Sequence, residues 1–97
     1  MAEMFDVPKR WMLSPQQEVV IGSMMDTPGR YVSAFDLCPA LYDEECEGAA
    51  PPKLRVLLQR CRDIVDELTY GEATIENKRG RGWRLTKASC EALRKVA

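Results

Sequence analysis

Ile75-Glu76-Asn77-Lys78-Arg79-Gly80-Arg81-Gly82-Trp83-Arg84-Leu85 is the stretch whose reading decides the fold. Apolar anchors stand at strand spacing on either side of its centre, Ile75 before it and Trp83 and Leu85 after it. The centre is glycine and cation. Gly80 and Gly82 accept φ > 0, which a tight turn needs and which other residues resist. The pattern predicts a β-hairpin over about residues 74–85, tipped by Lys78, Arg79 and Arg81, with Arg84 on its flank. Such a tip suits a phosphate backbone or a narrow groove walled by phosphates. The plainer reading of the same residues is a solvated hairpin, and the neighbouring sequence has to separate the two.

Upstream, the run from Lys53 to Leu68 has the 3.6-residue apolar period of a helix with one buried face. Leu54, Leu57, Leu58, Cys61, Ile64, Val65 and Leu68 fall on one side of the wheel. Lys53, Val56, Gln59, Arg60 and Asp63 fall opposite, with Arg55 and Arg62 on a flank. Pro51 and Pro52 suit the first turn, where a missing N–H costs little. A helix over about 52–68 with a basic N-terminal half, then a short connection, then a basic hairpin is the order of a recognition helix and its wing.

Two shorter helices are expected before it. Ser14-Pro15-Gln16-Gln17 combines an N-cap serine, a proline at the first helical position and a glutamine three residues on, which is a capping box. Val19, Val20, Met24 and Met25 supply the apolar residues, and Asp26-Thr27-Pro28-Gly29 ends the helix. Tyr31-Val32 reads as a short extended piece. Ser33 caps a second helix carrying Phe35, Leu37 and Leu41, which Pro39 kinks or ends early. An acidic and then Pro-rich loop runs from Asp43 to Pro52. A single strand is expected from Lys9 to Leu13.

Four segments together resemble the winged helix-turn-helix DNA-binding domain of OmpR/PhoB-type response regulators. Leu13-Ser-Pro-Gln-Gln-Glu18 is similar to that family's entry into its first helix, and Pro28-Gly-Arg-Tyr-Val-Ser33 to its entry into the second. Val56-Leu-Leu-Gln-Arg-Cys-Arg62 is similar to its recognition helix, with Cys61 where the family has leucine. Arg79-Gly-Arg-Gly-Trp-Arg-Leu85 is similar to its wing. The likeness covers about Trp11 to Leu85. It implies an α+β, mainly α fold: a three-helix core, a C-terminal β-hairpin wing, a short N-terminal strand and, beyond the family pattern, an extra C-terminal helix. One domain over 1–97 is expected, with its core at about 10–86 and the extra helix at about 87–96. Ala88, Ala92, Leu93 and Val96 form a short apolar stripe on that last helix, and packing on the domain's own core is the safer expectation for it. No receiver domain is expected, so the domain would act alone.

At 97 residues the chain suits one small core. No run is long and apolar enough to span a membrane, and no signal sequence opens the chain. Histidine is absent, and the four cysteines, Cys38, Cys46, Cys61 and Cys90, lack metal-ligand spacing. Free thiols in a reducing cytoplasm are therefore expected, with Cys61 a small core residue. The net charge of −1 runs against the basic character usual in nucleic-acid-binding domains, but its distribution matters more than its sum. From Lys53 to Leu85 eight cations face five anions, giving +3. Asp36, Asp43, Glu44, Glu45 and Glu47 give −5 to the second helix and its loop.

Without histidine, a phosphate-cradling loop or a nucleophile–base pattern, no enzyme and no cofactor is expected. The leading expectation is a cytoplasmic, bacterial or phage-like transcription regulator. It would bind double-stranded DNA in a sequence-specific way, with the third helix in the major groove and the wing on the minor groove or backbone. The candidate DNA-binding residues are Lys53, Arg55, Gln59, Arg60, Arg62, Lys78, Arg79 and Arg81. Arg62 could equally pair with Asp66 one turn on, and Trp83 reads as a plug beneath the wing. So few phosphate contacts favour a homodimer, at least on DNA. Asp43, Glu44, Glu45 and Glu47 are candidate contacts for RNA polymerase or another partner, with a plain solvated loop as the simpler reading. The alternative function is a winged-helix protein-interaction module that modulates RNA polymerase or another regulator.

Overall fold

Helix α1 (Pro15–Asp26) begins where the capping box stands. Ser14 Oγ accepts from the Gln17 N–H at 3.2 Å, and Gln17 Oε1 accepts from the Ser14 N–H at 2.9 Å. Two otherwise orphaned donors are satisfied together. Helix α2 (Ala34–Tyr42) repeats the device with Ser33 and Asp36, at 3.2 and 3.1 Å. Pro39 does not end α2, which runs on to Tyr42 and closes at Asp43 in the left-handed conformation, φ 53°. The proline withholds one donor from the Phe35 carbonyl, at a turn where Phe35 itself is exposed. The computed structural model describes residues 5–43 and 50–97.

Helix α3 (Pro52–Thr69) is the longest element at 18 residues. Leu54, Leu57, Leu58, Cys61 and Val65 are buried on the expected face, while Ile64 and Leu68 are half-buried at its edge. Each fully buried aliphatic side chain of this size contributes roughly 1.5–3 kcal/mol. Facing them are Val20, Ile21, Met24 and Met25 of α1 and Leu37 of α2. Tyr70 and Gly71 take positive φ of 53° and 84°, and the Gly71 N–H bonds back to the Asp66 carbonyl at 2.9 Å. This left-handed closure satisfies the last carbonyls of the helix.

Strands β1 (Ile75–Lys78) and β2 (Gly82–Leu85) pair antiparallel, with Ile75 opposite Leu85 and Lys78 opposite Gly82. The Arg81 N–H closes the turn onto the Lys78 carbonyl at 3.0 Å, with Gly80 at φ 81°. Helix α4 (Lys87–Lys95) is capped by Thr86. It buries Cys90, Ala92 and Leu93 against the domain's own core, as its short stripe suggested, although Ala88 is exposed. The described residues thus form a mainly helical α+β fold of four α-helices and one two-stranded hairpin.

Two expectations are corrected. The strand anticipated from Lys9 to Leu13 is a 3-10 turn over Lys9–Trp11, ended by Met12 at φ 54°. Among the described residues an extended segment there has no strand beside it to pair with. Instead Trp11 is buried against Phe5, and its indole N–H donates to the Val96 carbonyl at 3.3 Å. Arg10 donates to the same carbonyl, which ties the start of the domain to its end. Cys38 is disulfide-bonded rather than a free thiol, because wide spacing in sequence says little about distance in a fold. Cys61 and Cys90 are free and buried.

The Tyr31-Val32 piece does more than link α1 to α2. Val32 and Trp83 exchange both backbone hydrogen bonds, at 2.7 and 2.9 Å, adding a one-residue rung beside β2. The Gly29 N–H adds a third bond to the Leu85 carbonyl at 2.8 Å. Gly82, at φ 117°, lies so close that a Cβ there would overlap the Val32 carbonyl and come within 2.8 Å of Ser33 Cα.

Gly82→Ala should therefore cost more than Gly80→Ala, whose Cβ would meet nothing within 4 Å. Positive φ alone costs an alanine about 1 kcal/mol, and overpacking against backbone adds about 1–3 kcal/mol at Gly82. Urea midpoints of the two variants check the order, and equal losses would contradict the close approach.

A second expectation follows from the buried thiols. Desolvation pushes Cys61 from 9.0 up to about 12, and burial also raises Cys90, partly opposed by Arg94. A raised thiol pKa means that the fold holds its proton while the unfolded chain loses it. The stabilisation is complete below pH 9.0 and drains away between 9.0 and about 12, by roughly 1.4 kcal/mol per pH unit for Cys61. Urea titrations at pH 8, 9 and 10 should show this fall, and Cys61→Ala should flatten it.

Candidate functional site

The hairpin is held beside α3 by three successive anchors on the strand-entry segment. Thr69 Oγ1 accepts from the Ala73 N–H at 2.9 Å. Ser89 Oγ accepts from the Thr74 N–H at 3.2 Å. Arg62 donates from Nε and Nη2 to the Ile75 carbonyl at 3.0 and 2.8 Å. Residues from α3 and α4 thereby fix three consecutive backbone positions. This side of the hairpin cannot swing without breaking polar bonds that are partly or wholly buried.

Between the first turn of α2, the outer face of α3 and the hairpin lies a cleft of about 850 Å³. Its charged lining among the described residues is Arg55, Arg62, Lys78, Arg79 and Arg81, with no carboxylate among them. Gln59, Ser33, Asn77 and Trp83 complete its polar wall, and Phe35 and Leu58 its apolar part. Arg55, Lys78, Arg79 and Arg81 are exposed, and their side chains make no hydrogen bond or ion pair within the described residues. The described lining of the cleft is therefore cationic although the chain as a whole is not.

The expected site residues divide into groups. Arg55, Gln59, Arg62, Lys78, Arg79 and Arg81 come together in the cleft. Arg60 is exposed on α3 outside it. Lys53 sits at the helix start with its ammonium 4.1 Å from the centre of the Tyr42 ring, a cation–π contact. Gln59 donates to Asp63 Oδ1 at 3.2 Å, a bond that an incoming ligand could replace. Arg62 clamps Ile75 rather than pairing with Asp66, so it shapes the cleft more than it reaches out of it. Asp43 is exposed at the end of α2. Glu44, Glu45 and Glu47 lie outside the described residues.

Trp83 is half-buried, packed against the core under the hairpin, in keeping with a plug. Arg84 is also structural. Its Nε donates to Glu76 Oε1 at 2.8 Å, its Nη1 to the Gly29 carbonyl at 3.2 Å, and its guanidinium lies 4.6 Å from the Tyr31 ring centre. The Glu76 hydrogen bond holds its pKa above the ordinary arginine value. Phe35 is a cleft residue that the sequence reading did not single out. Counted with the apolar set of α2, it is 72 % exposed and lines the cleft. The signal was present, since Phe35 lies about 200° around the helix from buried Leu37.

Chemically the cleft offers cationic donors, an amide and two apolar surfaces. Among the described residues no cluster of cysteine, aspartate and glutamate is placed to hold a metal ion, and no helix is long and apolar enough to cross a membrane. No family model, curated protein sequence or solved structure matches the chain.

The division between anchoring and outward-reaching arginines has a measurable consequence. Arg62→Ala leaves the Ile75 carbonyl short of its donors and should cost about 1–3 kcal/mol of stability. Arg55→Ala, exposed and unpartnered, should stay within about 0.5 kcal/mol of the parent. Thermal and urea unfolding of both variants would test this, and equal stability of the two would remove the anchor role.

Proposed function

We propose that the chain is a winged helix-turn-helix transcription regulator of the OmpR/PhoB type that binds double-stranded DNA. The observation that carries this reading is the cleft whose described charged lining is all cationic, where the exposed face of α3 and the hairpin tip present cations side by side. The order of elements fits. Helices α1 to α3 would form the core, α3 the recognition helix and β1–β2 the wing.

The roles follow from position and chemistry. The exposed cations of α3 lie in its N-terminal half, while Asp63, Asp66 and Glu67 occupy the other half. The N-terminal half would enter the major groove, as is usual for recognition helices. Arg55, Gln59 and Arg60 have forked or paired polar groups suited to base edges, while Lys53, Lys78, Arg79 and Arg81 suit phosphates. Phosphate contacts of this number give modest affinity, so two copies on adjacent half-sites are the expected binding unit.

The test is selection of genomic duplex fragments followed by sequencing, at two salt concentrations, with parent and Arg79→Ala/Arg81→Ala proteins. A recurring motif is expected with the parent. Losing two phosphate contacts should lower the slope of log affinity against log salt by about 1.8. Gln59→Ala should instead relax preference at one base pair, by about 1–3 kcal/mol, with the slope unchanged. Absence of enrichment, or an unchanged slope in the double variant, would count against DNA as the ligand.

A further inference from the structure

The hairpin tip has a second cationic side. Beyond the ridge formed by Gly80 and Arg81, away from the main cleft, lies a recess lined by Gly29, Arg30, Tyr31, Gly80, Arg81 and Arg84. Lys78 and Arg79 line the main cleft only, and Arg30 and Arg84 the recess only, while Arg81 borders both. The ridge therefore carries positive charge on two opposed walls.

The recess is built from fixed parts. The Gly29 N–H is bonded to Leu85, which holds the Arg30 segment against β2. Arg84 is held by Glu76, by the Gly29 carbonyl and by the Tyr31 ring. Those bonds use Nε and Nη1 and leave the Nη2 donors of Arg84 uncommitted. The Glu76 carboxylate offsets the charge of Arg84, so the net charge of the recess comes from Arg30 and Arg81. Both are exposed, and neither side chain has a partner among the described residues. The stem of Lys87 runs past the same side, within 3.8 Å of where a Gly29 side chain would begin. Among the described residues no carboxylate lines the recess.

We infer that this recess is a second phosphate site, formed by Arg30, Arg81 and Arg84, that takes a backbone phosphodiester of the DNA strand opposite the one met by Lys78 and Arg79. A ridge with donors on both walls matches a groove with phosphates on both walls. The minor groove, about 6 Å wide, is the one narrow enough for a hairpin tip to reach both. This rests on the DNA-binding reading above and narrows its wing contact to a straddle of the minor groove.

Arg30→Ala is the informative variant, because Arg30 anchors nothing within the described residues and its loss should leave the fold intact. Parent, Arg30→Ala and Arg79→Ala/Arg81→Ala proteins would be titrated against one duplex carrying the selected motif, across a salt series, with hydroxyl-radical footprints of both strands. Thermal unfolding confirms that each variant is folded. Arg30→Ala should lower the salt slope by about 0.9 and weaken binding several-fold, with base preference unchanged. It should also lose protection on one strand only, across the minor groove from the sugars protected by the Lys78 side.

An unchanged slope and footprint for Arg30→Ala, while the double variant loses affinity, would overturn the second site and leave the DNA reading standing. No binding of the parent to the duplex, or equal binding of a single-stranded RNA of the same sequence, would overturn both.

Discussion

The backbone of Gly82 lies against the backbone of Val32 and Ser33, where no side chain can stand between them. That approach lets Val32 and Trp83 exchange two hydrogen bonds, and it joins the hairpin to the segment that leads into α2. On the other strand Ala73, Thr74 and Ile75 are fixed by Thr69, Ser89 and Arg62. The hairpin is thus held from both edges. A two-stranded hairpin alone is marginal in water, and here it borrows its rigidity from three helices. The cleft exists because of this docking, since the same hairpin turned away would leave α3 with an open face and no opposing wall.

The charge pattern depends on the same frame. The described lining of the cleft is cationic in a chain with a net charge of −1, and three nearby carboxylates are engaged in hydrogen bonds. Asp36 caps α2, Glu76 pairs with Arg84, and Asp63 accepts from Gln59. Arg55, Lys78, Arg79 and Arg81 are left facing solvent. At short range this local excess outweighs the overall sum, because salt screens distant charges within about 10 Å. Arginine serves two purposes in this molecule. Arg62 and Arg84 reach backbone carbonyls and hold the scaffold, while the tip arginines remain available. Residue type alone does not distinguish the two uses.

Much of the secondary structure was legible because its causes are local. The capping boxes at Ser14 and Ser33, the apolar period of α3 and the glycines of the turn each act within a few residues. The errors came where a distant partner decides the outcome. Lys9 to Leu13 looks like a strand, but among the described residues no strand lies beside it, and the Trp11 indole goes to Val96. Phe35 was placed on the second helix without a role, and its angle around α2 points it outward.

The candidate site was legible in composition but not in arrangement. The sequence by itself determined where helices start and stop, which face of α3 is buried, and that a cationic turn follows it, because capping, periodicity and turn geometry are short-range physics. Only the tertiary structure decided that Arg62 is a clamp, that Arg84 is tied to Glu76 and Gly29, and that Arg30 joins Arg81 across the hairpin. Those roles depend on groups from 8 to more than 50 residues apart meeting at hydrogen-bond distance or across one recess. Such meetings are set by the packing of the whole chain, not by any segment of it.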